Sequence, residues 1–419
     1  MAAVILLLLI LLALALRQNI IVILLSGAAY VHLVWGDGKL EYLAEDLWIS
    51  LDNSLLLAIP MFLLAGAVMT RGSIARRLID LAISITKPIP GGLAVATILS
   101  CAIFASISGS SPVTLLAVGT IMYPALLEHG YNKRFALGAL TSGGTLGIII
   151  PPSIPLILYG IVTETSIADL FLAGIIPGIM IAVSLAGYSF WVNRKIPAQQ
   201  FDIVEFRTAI ARGGWSAMLP VILLGGIYSG YFSPTEAAAV ALVYALFVEV
   251  FIHRELKPID FFYTAIETAK MLGTLFPIVA VALSIKTILT IEEIPDDLAL
   301  WITTVTDNKI AFLLAINLLL LLVGCLFDVI SAILILAPLL LIPATAYGVD
   351  PVHLGVIMVI NLEIGFLTPP LGLNLIVAMT AFRENFLEIS RAVLPFISLI
   401  LVVLLIVTFV PETTLLFVR

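Results

Sequence analysis

Charge, cysteine and histidine are scarce in this chain, and each scarcity closes off a class of protein. Charged residues make up 11% of the 419, against roughly 25% in a soluble domain. The two cysteines, Cys101 and Cys325, both lie in apolar runs, so they read as buried structural thiols and not as a disulfide framework. The four histidines, at 32, 129, 253 and 353, have no paired spacing for a zinc site. No basic stripe or aromatic–basic motif is present, which argues against a nucleic-acid partner. There is no Gly-x-x-x-x-Gly-Lys-Ser/Thr, no His-Glu-x-x-His, no nucleophile elbow with a plausible triad and no pair of intramembrane aspartates, so enzyme readings fail. The longest polar connection is about 20 residues, too short for a soluble ATP-binding module. Transport, if it occurs, must draw on an ion gradient or a partner. The net charge of −7 is spread over connecting loops and says little about partners.

What fills the chain instead is apolar: 62% of residues are hydrophobic and the mean hydropathy is +1.20. That composition, in runs near the ~20 residues a spanning helix needs, predicts an all-α polytopic membrane protein surrounded by lipid. The runs fall near 2–16 with 20–35, 54–70, 91–107, 111–127, 135–161, 167–192, 213–230, 235–252, 263–290, 297–304 with 309–326, 329–347, 352–379 and 392–411. They predict roughly eleven to thirteen segments, some of them re-entrant. Met1–Leu16 lacks a basic leader and a small-residue cleavage site, so a membrane segment interrupted at Arg17-Gln-Asn19 is expected there. The basic connections, Arg71 to Lys87, Arg194 to Arg212 and His253 to Lys257, are the cytoplasmic candidates. Stretch 38–52, with leucines at 40, 43, 47 and 51, fits a helix lying on the membrane surface or a plain connecting helix.

Within these runs one pattern occurs twice. Gly147-Ile-Ile-Ile-Pro151-Pro152-Ser-Ile-Pro155 returns as Gly365-Phe-Leu-Thr368-Pro369-Pro370-Leu-Gly372-Leu-Asn374. Gly130 and Gly348, Gly147 and Gly365, Pro151 and Pro369, and Pro152 and Pro370 are each 218 residues apart. Proline lacks an N–H and clashes with the carbonyl one turn earlier, so a proline pair breaks a helix and frees carbonyls. In lipid a freed carbonyl costs several kcal/mol, so such a break survives only beside protein or a water-filled cavity. Freed carbonyls are hard oxygen ligands for a small cation, and half-helix N-termini can face an anion. Paired interruptions in two halves of a membrane chain point to a transporter's binding site.

A second pair of features follows the same offset. Ser106-Ile-Ser108-Gly109-Ser110-Ser111-Pro112, after an apolar run, suits the tip of a re-entrant hairpin or a tight turn at the bilayer surface. Ser110 maps onto Asp328, a carboxylate among long runs of Leu and Ile. Such a charge costs about 2.5–3.5 kcal/mol on insertion scales and is a functional candidate by default. It can equally cap the helix beginning near Ile330, and both roles can hold together. Glu363, just before the second break, is a cation ligand, a proton carrier or a polar tie between helices. Lys286 reads as snorkelling to the interface, and Ser233-Pro234-Thr235-Glu236 as an ordinary helix start capped by Ser233.

Four stretches together resemble the large membrane subunit of tripartite ATP-independent periplasmic (TRAP) transporters: Phe-Ala-Ser-Ile-Ser-Gly-Ser-Ser-Pro at 104–112, Gly-Tyr-Asn-Lys-Arg-Phe-Ala at 130–136, Gly-Thr-Leu-Gly-Ile-Ile-Ile-Pro-Pro-Ser at 144–153, and Asn-Leu-Glu-Ile-Gly-Phe-Leu-Thr-Pro-Pro-Leu-Gly-Leu-Asn at 361–374. The likeness runs over essentially the whole chain. It implies an elevator-type fold with two inverted repeats of re-entrant hairpin plus broken helix, at 91–192 and 297–391. Scaffold helices are expected mainly at 1–90 and 193–296, and a C-terminal helix at 392–419. It implies sodium-driven import of an organic anion, a carboxylate such as a C4-dicarboxylate or a sugar acid, across a bacterial inner membrane of Gram-negative type. The partners implied are a small membrane subunit of about four helices and a periplasmic substrate-binding protein.

The resemblance also implies two sodium sites built mainly from carbonyls. Ala105, Ser108, Gly147, Ile150 and Pro152 match the first, and Gly324, Gly365, Thr368 and Leu371 the second. Substrate would lie between the tips, near Ser110, Ser111, Asp328 and Asn374. Two other readings stay open: a stand-alone ion-coupled carrier or sodium/proton antiporter of related fold, using Glu363 or Asp328 for the proton, and a non-transporting assembly subunit.

Overall fold

A computed structural model describes residues 5–6, 8–9, 12–13, 16, 18, 20–35 and 38–418. Most of the run expected at 2–16 therefore lies outside the described residues. Every regular element among the described residues is helical, and nine helices are long and apolar enough to cross a bilayer. Shorter apolar helices account for the rest of the expected segments.

The chain begins with α1 (Ile20–Val34) and α2 (Leu40–Leu51). Stretch 38–52 is a helix seated on α1 and on α12 (Pro258–Ile291), with Leu43 turned inward. A buried polar tie fixes this corner. His32 Nε2 and Ser284 Oγ lie 2.8 Å apart, and Ser284 Oγ donates to Asp46 Oδ2 at 3.3 Å, joining α1, α12 and α2. Next come α3 (Ala58–Arg71) and α4 (Ile74–Thr86). In α4, Ile74, Leu78, Ile79 and Ala82 are buried while Arg76 and Asp80 face out, the pattern of a helix lying at an interface.

Glu249 fixes the start of α4 from a distance. It is 0% exposed, at the end of α11 (Pro234–Phe247) where the helix widens into a π turn over Val248–Ile252. Its Oε1 accepts from Ser73 N at 2.7 Å and Ile74 N at 2.6 Å, an N-cap supplied by another helix. Glu236 forms the capping box with Ser233, as the sequence suggested. Lys286 does more than snorkel: its Nζ lies 2.9 Å from Glu164 Oε1.

The first repeat unit runs α5 (Gly92–Ser108), α6 (Ser111–Glu128), α7 (Lys133–Gly144) and α8 (Ile154–Thr163). The second runs α14 (Lys309–Leu326), α15 (Val329–Ala346), α16 (Pro351–Phe366) and α17 (Leu373–Phe382). In each unit two helices meet at a tight tip, and a third and fourth are separated by a break. Both breaks carry a cis Pro-Pro bond, at 151–152 and 369–370. The connecting elements are α9 (Ile167–Asn193), α10 (Ile203–Tyr228), α11, α12 and α13 (Ile294–Val305); α18 (Phe386–Phe409) and α19 (Glu412–Leu415) follow.

Counting crossings gives the relation between the units. The hairpin α5–α6 returns to the face it entered from, and α7 with α8 crosses once. After that, α9, α10, α11 and α12 each cross, so the hairpin α14–α15 enters from the opposite face. The second unit is thus an inverted copy of the first. Arg71, Lys87, Lys133, Arg194, Lys195 and Lys257 all fall at helix ends on the face where α5 begins. The positive-inside rule makes that face cytoplasmic. The two units brace each other reciprocally: α15 packs on α8, and α6 packs on α17.

Candidate functional site

The first hairpin tip turns at Gly109, whose φ of +61° is left-handed and favours glycine. This tip docks on the first break. Ile154 N donates to Gly109 O at 3.2 Å. A methyl on Gly147 would sit 2.6 Å from both Ser110 O and Thr114 Oγ1, so only glycine permits the approach. Ser108 Oγ and Thr114 Oγ1 are 2.6 Å apart. Ser153 accepts from Leu156 N at 3.3 Å, capping α8, and donates to Ile148 O at 2.5 Å. Ser108, Gly147 and Pro152 therefore come together around the tip. Ala105 O accepts from Gly109 N at 3.4 Å within the same turn. The Ile150 side chain points away, against Gly178 of α9.

The second break meets its hairpin backbone to backbone. A Cβ on Gly365 would overlap the Gly324 carbonyl, and one on Gly324 would lie 3.2 Å from Gly365 Cα. Thr368 N donates to Gly365 O at 3.0 Å, and Thr368 Oγ1 to Ile364 O at 2.8 Å. Leu371 N reaches Cys325 O at 3.4 Å, while the Leu371 side chain is 50% exposed. Gly324, Gly365, Thr368 and Leu371 form one neighbourhood, whose candidate donors are carbonyls and one hydroxyl. Oxygen donors of this kind suit a hard monovalent cation better than a soft metal.

Between the tips lies a cavity of about 280 Å³. Ser110, Ser111 and Asp328 line it together. The first residues of four helices share the lining: Ser111 of α6, Ile154 of α8, Val329 of α15 and Leu373 of α17. Four positive helix ends thus converge on one space. Asp328 caps α15, its Oδ1 accepting from Ser331 N at 3.0 Å. Asn374 is placed differently. It is fully buried behind the lining, donating to Ser111 Oγ at 2.6 Å and Thr141 O at 3.3 Å, so it ties the second unit to the first tip.

Sequence reasoning missed the far wall. Leu63 of α3 and Met271, Thr274, Leu275 and Ile278 of α12 close the cavity from outside the repeats. No repeat or motif marks them; the weak signal was Thr274 near Pro277 within a long apolar helix. Glu363 is 0% exposed on α16, and neither carboxyl oxygen has a hydrogen-bond partner among the described residues.

Residues 5–413 match the family model of the tripartite ATP-independent periplasmic transporter, DctM component. The chain belongs to this family. It is 42% identical to the C4-dicarboxylate TRAP transporter large permease protein DctM of Pseudomonas aeruginosa, over 93% of this chain and 92% of that one. It is also 42% identical to the isethionate TRAP transporter permease protein DctMQ of Oleidesulfovibrio alaskensis, covering 91% of this chain but only 61% of that longer relative. The ectoine TRAP transporter large permease protein TeaC of Halomonas elongata is 36% identical over 91% of this chain and 90% of its own. Among solved structures, the Alcanivorax borkumensis YdaH transporter, of unusual topology, superposes with a TM-score of 0.66 at 15% identity, covering 90% of this chain and 89% of that one. That likeness extends to the fold. The TRAP relatives are named for three different solutes, so family membership leaves the cargo open.

Proposed function

We propose that this TRAP large permease subunit is a sodium-coupled importer of a small organic acid delivered by a periplasmic binding protein. The observation that carries the reading is the convergence of both hairpin tips and both half-helix starts on one cavity. Such a cavity offers carbonyl donors to cations and helix N-termini to an acid group. Sodium at the Gly147 and Gly365 neighbourhoods orders the two tips. The solute's acid group then meets pre-ordered N–H groups. The units α5–α8 and α14–α17 move as one transport body past α1–α4 and α10–α12, carrying the cavity across as an elevator. Coupling follows because sodium favours the solute-competent state. A small membrane subunit of about four helices partners the outer helices, in a bacterial inner membrane.

Thermal unfolding of the purified chain in sodium against choline, at equal ionic strength, tests this. A ligand confined to the folded state stabilises it by RT ln(1 + [L]/Kd), about 2.7 kcal/mol at a hundredfold excess. A sodium-specific rise in Tm, reduced in Gly147→Val and in the near-isosteric Thr368→Val, supports the site. Equal melting in both salts, with and without the small subunit, refutes it.

A further inference from the structure

We infer that the solute is a small zwitterion, carrying one anionic and one cationic group, and not a dicarboxylate; this deepens the reading proposed above and rests on it. The inference comes from the charge pattern of the cavity. No lysine, arginine or histidine lines it, and its one charged side chain is Asp328. Asp328 Oδ1 is engaged with Ser331 N, and the carboxylate forms no ion pair among the described residues. The surrounding wall is apolar: Leu63, Ile148, Met271, Leu275, Ile278 and Phe366. In such surroundings a lone carboxylate acts on a neighbouring charge far more strongly than it would in water. It attracts an ammonium or amidinium group and repels a second carboxylate.

The opposite tip has the complementary polarity. Ser110 precedes α6 without capping it through its side chain, and Pro112 has no N–H to offer. The first-turn N–H groups of α6 and the hydroxyls of Ser110 and Ser111 remain for an anion. The second tip spends its carboxylate on its own helix, which cancels much of that helix's pull on anions. The cavity is therefore polarised, anion-seeking at the first tip and cation-seeking at the second. Its 280 Å³ equals the liquid volume of roughly nine waters at about 30 Å³ each, which limits the solute to a small molecule.

Two matched pairs of probes decide the matter: taurine against isethionate, which differ by ammonium for hydroxyl, and 4-aminobutyrate against succinate. Binding to the purified full-length chain is measured by calorimetry in saturating sodium. At least one zwitterion is expected to bind tenfold or more tighter than its matched anion. Asp328→Asn, which keeps a capping side chain, is expected to remove that preference while leaving the sodium-dependent Tm rise intact. Three results overturn the inference: silence from both zwitterions, anions binding as tightly as their zwitterionic partners, or loss of the sodium response in Asp328→Asn, which would make Asp328 a cation ligand. Failure of the sodium coupling itself is read separately, from the wild-type melt without solute.

Discussion

The two broken helices share a motif but not an environment. At the first, Gly147 to Ser153 are buried except Ile150, enclosed by the hairpin tip and by α9. At the second, Pro369, Pro370 and Leu371 are exposed. The tips differ as well. Ser110 is neutral and leaves its helix uncapped, whereas Asp328 is charged and caps α15. A duplicated framework thus carries two different ends, one closed and neutral, one open and acidic. The framework supplies the backbone geometry for cations, and the difference between the ends supplies direction for the solute.

The glycine contacts give the largest test of this comparison. Gly365→Ala places Cβ against Gly324 backbone that cannot rotate away, and Gly147→Ala meets one backbone oxygen and one hydroxyl. Overpacking of this kind costs about 1–3 kcal/mol. Gly365→Ala is expected to lower Tm more than Gly147→Ala, because the Thr114 hydroxyl can turn aside. Equal losses would mean that both tips yield alike.

The caps give a smaller contrast. Asp328→Ala is expected to destabilise by about 1 kcal/mol through the lost cap, and Asp328→Ser by much less. Ser110→Ala has no cap to lose, and its Tm should stay within error of wild type. A fall in Ser110→Ala matching that in Asp328→Ala would erase the distinction between the tips.

The smallest contrast lies at the far ends of the half-helices. Glu164 after α8 and Arg383 after α17 are both non-glycine residues in the left-handed region. Glu164 pairs with Lys286 of α12, and that hydrogen bond holds its carboxyl below the usual range. Arg383 forms no ion pair among the described residues. The Glu164 pair is largely exposed, so it is worth under about 1 kcal/mol. Because the folded-state pKa is lowered, its contribution is present at neutral pH and is lost as pH falls through the folded value. Glu164→Gln should flatten the acid limb of the Tm–pH curve and lose its effect in high salt. Arg383→Gln should leave that limb unchanged.

Legibility followed the same lines. The two breaks, the offset between them and the acidic residue opposite Ser110 were readable because proline, glycine and an intramembrane charge each carry a large local cost. Glu236 was readable because a capping box is local. The pairing of Lys286 with Glu164 and the capping of α4 by Glu249 were not, since each joins residues more than a hundred positions apart. Nor could spacing tell that Asn374 faces Ser111 from behind the cavity, or that α12 supplies the far wall.

The sequence alone determined that this chain lives in a bilayer, is helical, and carries two helix breaks at matched positions. Those are properties of backbone and solvent, and lipid enforces them residue by residue. Only the tertiary structure decided which oxygens and helix ends meet, and that the meeting place is polarised by one unpaired carboxylate. Convergence depends on packing between distant helices, which no local preference encodes.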